Sequence, residues 1–588
     1  MMRRLHFALE EKSGRFWIIC LLSLIYFMRI AFLDADVPAW GVSAYQPIDE
    51  GIYATLALNM QNYGTVSPNE IIDGDPFLIT SQELFNLPLN IVTYLGMLIL
   101  GDNYFGFRIG SVLIGYINLV MLAWIVKVLF EKNEALAEHR YEAAFLIAIL
   151  YIASFPVYIA TRTVEPSIYR MTFVLMIAAC YMKLDSHLKT SSFLIGFLTV
   201  VSIFLVYVTN VFTGLLIVGY LVRLIVLRRR EEAISHLQYG MLGALMGYGV
   251  SIVYYRWWGI TPLTNSLASI LAFSGSANNA FAGNYQFSSL IGAIGNGLAF
   301  ISANPVLYSI PVVALFVANA PALYMSAPKS FRDGIVSIEL FVAGLFFQTL
   351  LTEDYIVRKM IIIYPLILVL GVAGLYLRAY AAGNQINGRK NKIASLMAII
   401  LIAYVLWERL AHANNMVVTV ADYSQKAKVF IAAIGLMSAI PIALLSLTGK
   451  QKRIKAPTLV CLALFSVLNL GLIANYCILD RSYSERGVMQ EIGEIAGDEY
   501  VAGDYSIGFT LYNDIKPVKN DRNQLLKFLG SHPAAYFLDY SNAQFFSNSL
   551  IDAWQTLKTE REFSRAYQNK MAGPDRNIAL YKSTYIDY

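Results

Sequence analysis

Charge is what this chain has least of. Only 14% of its 588 residues are Asp, Glu, Lys or Arg, and 57% are hydrophobic, whereas soluble chains carry about 25% charged residues. That deficit excludes a soluble enzyme, a disordered chain and a nucleic-acid binder that works through a basic patch. Cysteine is scarce as well. Cys20, Cys180, Cys461 and Cys477 all stand in or beside apolar runs, which argues against both a disulfide framework and a CxxC metal site. The histidines (His6, His139, His187, His236, His412 and His532) never pair at metal-ligand spacing, so a His-based zinc centre is not expected. Lys and Arg are missing altogether from 34–84, a stretch that holds eight acids: Asp34, Asp36, Asp49, Glu50, Glu70, Asp73, Asp75 and Glu83.

What the chain has in place of charge is apolar runs long enough to cross a hydrocarbon core of about 30 Å. They occupy 16–33, 104–126, 143–161, 167–184, 191–208, 211–227, 238–257, 288–318, 335–351, 359–377, 394–411, 429–447 and 457–478. The first lacks a small-residue cleavage site and leads into Asp34 and Asp36, so it reads as a retained span. Lys and Arg collect on the cytoplasmic side of short loops. Starting from Arg3, Arg4, Lys12 and Arg15, alternate loops gather Lys127, Lys132 and Arg140, then Arg228 to Arg230, Lys329 and Arg332, then Arg389, Lys390 and Lys392, and finally Lys450, Lys452, Arg453 and Lys455. A further run, 84–100, would invert every later loop if it spanned. We therefore read it as a helix lying in the outer interface.

The fold class expected is a polytopic α-helical membrane protein of about thirteen spans, N-terminus inside and C-terminus outside. Residues 1–479 form the transmembrane domain, with an outer loop over 34–103. From Asp480 the composition is that of a soluble domain. Short β-type runs (Glu499–Ala502, Ala535–Leu538, Asn577–Tyr581) alternate with helical stretches (Asn523–Leu529, Ala543–Leu557), so 480–588 is expected to be a small extracytoplasmic α/β domain.

Three stretches could carry chemistry. Asp49-Glu50-Gly51-Ile52-Tyr53 stands in the acidic loop; taken alone, Asp49 would cap a short interfacial helix. Arg162-Thr163-Val164-Glu165-Pro166 lies at the next outer turn, where a snorkelling Arg and a capping Glu are the plain alternative. Glu353-Asp354-Tyr355-Ile356-Val357-Arg358-Lys359 leads into Tyr364-Pro365. Cations in an outer loop run against the positive-inside trend and stand at a helix N-terminus, which favours an anion such as a lipid phosphate; headgroup anchoring is the alternative.

Asp49, Glu50 and Tyr53 form a D-E-x-x-Y box. With the Leu87-Pro88 helix, the run from Gly101 to Arg108, the Arg162/Glu165 turn and the Arg358 to Pro365 element, it resembles the GT-C superfamily of polyprenyl-phosphate-sugar-dependent glycosyltransferases. That group holds protein O-mannosyltransferases and lipid A aminoarabinose transferase. Two departures stand out: the Lys-Pro-Pro box of the aminoarabinose branch reads Asn86-Leu87-Pro88, and many relatives have Asp where Glu165 stands. The resemblance implies that Asp49 is the catalytic base, that Glu50 and Glu165 support the acceptor or the base, and that Arg358 holds the donor phosphate. Lys359 and Arg162 are further candidate phosphate ligands, with Tyr53 and Tyr355 in support.

The implied activity moves a sugar from a polyprenyl-phosphate donor to a hydroxyl on a glycan, lipid or protein at the extracytoplasmic face of a bacterial inner or plasma membrane. A lipid phosphate is already a good leaving group, so no cofactor is required, although the outer carboxylates could ligate a hard divalent cation. A transporter would instead place ionisable residues near span centres, and a non-catalytic scaffold would leave Asp49, Glu165 and Arg358 without a task.

Overall fold

The computed structural model describes residues 11–36, 48–64, 70–72, 75–77, 86–206, 214–257, 363–381, 455–478, 481–502, 506–518, 536–540, 561–570 and 577–585, with isolated positions between 315 and 400. Helix α1 (Lys12–Phe27) ends in a 3-10 turn, Met28–Ile30. Two short helices follow, α2 (Ile48–Tyr53) and α3 (Thr55–Tyr63), and then a small hairpin, β1 (Glu70–Ile72) with β2 (Asp75–Phe77). Next come α4 (Leu87–Leu100), α5 (Tyr104–Glu131), α6 (Glu134–Ala137), α7 (Arg140–Ala153), α8 (Phe155–Ala160), α9 (Pro166–Met182), α10 (Leu188–Leu205), α11 (Gly214–Val226) and α12 (Arg230–Trp257). Helix α13 (Ile363–Tyr376) continues into a π-helical turn, Leu377–Ala381, and α14 (Lys455–Ile478) is the last long apolar helix.

Four of these are long and apolar enough to cross a membrane: Lys12–Ile30, Tyr104–Glu131, Leu188–Leu205 and Lys455–Asn475. Shorter apolar helices cover Leu87–Leu100, Pro166–Met182, Ile217–Val226 and Tyr364–Tyr380. The apolar helices mark the chain as an integral membrane protein. Run 429–447 and most of 288–318, 335–351 and 394–411 lie outside the described residues.

Helix α4 spans about 21 Å at 1.5 Å per residue, short of a full crossing. Asn86 caps it, accepting the Leu89 N–H at 3.1 Å. It folds back on α5 because neither helix has a side chain at the crossing: a Cβ on Gly96 would collide with the Gly106 carbonyl. Gly101, at φ +94, makes the turn between them, a conformation that side chains rarely adopt.

The run read as one span over 143–161 is two helices, because Pro156 has no N–H to donate to the Ile152 carbonyl. The freed groups are satisfied from other helices. Arg29 Nη2 donates to the Ile152 carbonyl at 2.8 Å, replacing the missing donor, and the Phe155 N–H donates to Asn469 Oδ1 at 3.3 Å.

Helix α15 (Ser484–Ala496) follows α14 after a short linker and leads into a five-stranded mixed sheet of order β4-β3-β5-β7-β6. Strand β3 (Tyr500–Ala502) is parallel to β4 (Lys516–Val518) and β5 (Tyr536–Tyr540), while β7 (Asn577–Tyr585) is antiparallel to β5 and β6 (Arg561–Lys570). Pro517 is tolerated because β4 is an edge strand. Strands β4 and β6 carry no clean apolar alternation, so they were not legible beforehand; the helical stretches expected over 523–529 and 543–557 lie outside the described residues. This unit does not stand apart. Met489, Ile492, Val501, Phe509 and Leu580 share one apolar cluster with Tyr53, Ala57, Leu89, Tyr104, Phe107 and Val164.

Candidate functional site

The D-E box lies on α2, with Asp49 in its first turn. The Asp49 side chain lies outside the described residues. Glu50 is fully buried and meets a fully buried Arg108 from α5. The two are joined as a fork, Arg108 Nε to Glu50 Oε1 at 3.1 Å and Nη2 to Oε2 at 2.7 Å. Glu50 Oε1 also accepts the Val164 N–H at 2.7 Å. Arg108 Nη1 donates to the Ala35 carbonyl at 2.7 Å and the Leu33 carbonyl at 3.2 Å, and its guanidinium lies 4.0 Å from the centre of the Tyr104 ring. A buried pair repays its desolvation only when its lone pairs and protons are used, and here three donors reach the carboxylate and the guanidinium finds acceptors on two segments. One ion pair thus ties together the chain after α1, helix α2, the start of α5 and the 161–165 turn.

Asn90 stitches the joint between α2 and α3. Its side chain donates to the Tyr53 carbonyl at 3.1 Å and accepts the Ala57 N–H at 3.1 Å. Tyr53 itself packs its ring into the apolar cluster below.

Glu165, 2% exposed, occupies the N-cap of α9 in extended conformation, next to the Val164 whose N–H meets Glu50. Its Oε1 accepts the Ser167 hydroxyl at 2.5 Å. The structure therefore brings Glu50, Glu165 and the helix of Asp49 into one neighbourhood. It does not put Arg162 there as a phosphate ligand. Arg162 donates from Nη1 to the carbonyls of Arg29 at 3.1 Å and Ala31 at 2.9 Å and to Tyr158 Oη at 2.5 Å, and from Nη2 to the Phe32 carbonyl. The carbonyl end of a helix attracts a cation, and Arg162 serves α1 in that way. Arg29 returns the arrangement, reaching from the end of α1 to the carbonyls of Tyr151 and Ile152 that end α7, and to Thr161 Oγ1 at 2.7 Å. Arg358, Lys359 and Tyr355 lie outside the described residues.

Sequence reading missed the tasks of Arg29 and Arg108, although each was flagged by its position: an Arg beside an apolar run needs a partner. It also missed Asp36, which is buried at 6% exposure. Asp36 Oδ2 accepts the Ser484 N–H at 2.7 Å and the Ser484 hydroxyl at 2.9 Å. Nearby, Tyr512 Oη accepts the Tyr104 N–H at 2.8 Å. Burial pushes the Tyr512 phenol above its ordinary range, an effect partly offset by the N–H it accepts. Among the described residues no group of three or more His, Cys, Asp or Glu is gathered to hold a metal ion.

No family model matches this sequence, and no curated protein matches it significantly. Solved structures do share its fold. The crystal structure of ArnT from Cupriavidus metallidurans bound to undecaprenyl phosphate superposes with a TM-score of 0.51 at 14% identity, covering 97% of this chain and 98% of that one. ArnT from the same organism in the apo state gives 0.50 at 14% identity, covering 96% and 97%. The fold is thus shared with ArnT over nearly the whole length of both chains.

Proposed function

We propose that this chain is an integral-membrane glycosyltransferase that moves a sugar from a polyprenyl-phosphate donor to a hydroxyl acceptor on the extracytoplasmic side. The observation that carries the reading is the end-to-end likeness to an ArnT crystallised with undecaprenyl phosphate. The anchored D-E helix is consistent with it, since Glu50, Arg108 and the Val164 N–H hold the backbone that bears Asp49.

In the proposed reaction Asp49 takes the proton of the acceptor hydroxyl as that oxygen attacks the anomeric carbon. The bond from that carbon to the phosphate oxygen breaks, and the polyprenyl phosphate leaves with the electron pair. Arg358, helped by Lys359, meets the charge that develops on it. Glu165, at the N-cap of α9, supports the acceptor or the base. The leaving group needs no general acid, and the chemistry needs no cofactor. Glu50 belongs to the scaffold under Asp49, and Arg162 to the carbonyl end of α1.

Two expected outcomes test this reading. Arg358→Ala raises the apparent KM for prenyl-phosphate sugar and lowers kcat further if the contact strengthens as charge develops. Steady-state kinetics on the purified protein measure both, and unchanged kinetics would reduce Arg358 to a headgroup anchor. Thirteen spans from an inside N-terminus put 480–588 outside, so alkaline phosphatase fused to the C-terminus is active in a bacterial host. An active cytoplasmic reporter at that end instead would overturn the span count and move Asp49 to the other face.

A further inference from the structure

The N-cap residue of α15, Tyr483, makes no side-chain capping bond, and the Ser484 N–H finds a local acceptor in Ser482 Oγ at 3.1 Å. The shorter and charged acceptor comes from the far end of the chain. Asp36 Oδ2 accepts the Ser484 N–H and hydroxyl and reaches the Glu485 N–H at 3.5 Å, across 448 residues to Ser484. In return the Asp36 N–H donates to the Ser482 carbonyl at 3.0 Å. The positive end of α15 thus rests on a carboxylate from the loop that follows α1.

Two bulky residues in the left-handed region sit at the same junction. Phe32 has φ +55 and Tyr512 φ +70, conformations that persist only where surrounding contacts impose them. The contacts are there. The Arg481 guanidinium lies 4.0 Å from the centre of the Phe32 ring, and the Phe32 carbonyl accepts from Arg162. Tyr512 holds the Tyr104 N–H at the start of α5, and its ring packs edge-on against Tyr104 at 5.7 Å. Behind this junction the 3-10 helix Ser506–Phe509 lies against α2, and Phe509 shares the apolar cluster of Tyr53 and Val164.

We infer that Asp36 is a positioning residue for the transfer reaction: by capping α15 it clamps the C-terminal α/β unit onto α2, so that the helix bearing Asp49 is held both by the Glu50–Arg108 pair and by this unit. The inference rests on the proposed function for its kinetic consequence, but not for the clamp itself. Asn caps a helix about as well as Asp, and Ala does not. Asp36→Asn should therefore behave as wild type and Asp36→Ala should loosen the junction.

The test uses the full-length protein in nanodiscs: wild type, Asp36→Ala, Asp36→Asn and Tyr512→Phe. Hydrogen exchange is followed by mass spectrometry in peptides covering 48–53 and 484–496. Asp36→Ala is expected to speed exchange about five- to tenfold in both peptides, with Asp36→Asn restoring it. Tyr512→Phe, which removes the acceptor for the Tyr104 N–H while keeping the ring, is expected to speed exchange over 48–53 and serves if Asp36→Ala does not fold. In turnover with prenyl-phosphate sugar, kcat of Asp36→Ala falls by a similar factor at unchanged donor KM. Faster exchange confined to 484–496 would make Asp36 a local cap and overturn the inference, as would a Tyr512→Phe variant with wild-type exchange over 48–53. A wild-type protein that shows the coupled exchange and transfers no sugar would count against the functional reading and leave the clamp standing.

Discussion

Asp49→Asn lowers sugar transfer by roughly two to four orders of magnitude while the protein still folds and still binds donor. The substitution keeps the shape of the side chain and its ability to cap a helix, since Asn and Asp cap about equally well. It removes only the capacity to accept a proton as the acceptor oxygen attacks. Folding should survive because the interactions that hold α2 pass through other residues: Glu50 to Arg108 and to the Val164 N–H, and Asn90 to the Tyr53 carbonyl and the Ala57 N–H. The measurement is single-turnover transfer with purified protein and a separate donor-binding isotherm. Wild-type turnover would remove Asp49 from the mechanism and leave Glu165 as the candidate base. A variant that cannot be purified folded would favour a capping role for Asp49.

Arg108→Ala has the opposite profile, a collapse of stability. It would leave the fully buried Glu50 carboxyl with one remaining donor among the described residues, the Val164 N–H, and would release the Leu33 and Ala35 carbonyls as well. Stranding one member of a buried pair costs about 3–5 kcal/mol, enough to reduce the folded yield sharply. Replacing both partners, Glu50→Gln with Arg108→Met, removes the stranded charge and is expected to recover a good part of the loss. Thermal unfolding of the two single variants and the double variant closes the cycle. Additive effects would mean that the pair carries no coupling and that Glu50 is available for the chemistry the family resemblance implies. Glu50→Gln alone is therefore expected to be a folding defect more than a catalytic one.

The apolar character of the chain, the placement of the long apolar helices among the described residues and the position of the D-E box could be read directly, because long runs of apolar residues and their basic flanks are local signals. Strands β3, β5 and β7 were legible for the same reason, as short β-rich runs between turn residues. Where local signals competed, packing decided. Pro156 stood inside an apolar run long enough to span, and length outweighed the missing N–H that splits it into α7 and α8. Arg162 stands three positions before Glu165. Its acceptors are instead the carbonyls of 29, 31 and 32, more than a hundred residues earlier.

Sequence by itself determined that this protein lives in a membrane and that its acids gather in the loop after the first span and at the 161–165 turn, since burial in hydrocarbon excludes unpaired charge wherever the chain crosses. Tertiary structure alone decided what each charged group does. Glu50, Arg108, Arg29, Arg162 and Asp36 all find partners on distant segments, and a partner that far away leaves no period or spacing in the sequence. A buried charge announces that it must be paired, but only the packing of α1, α2, α5, the 161–165 turn and α15 names the atom that pairs with it.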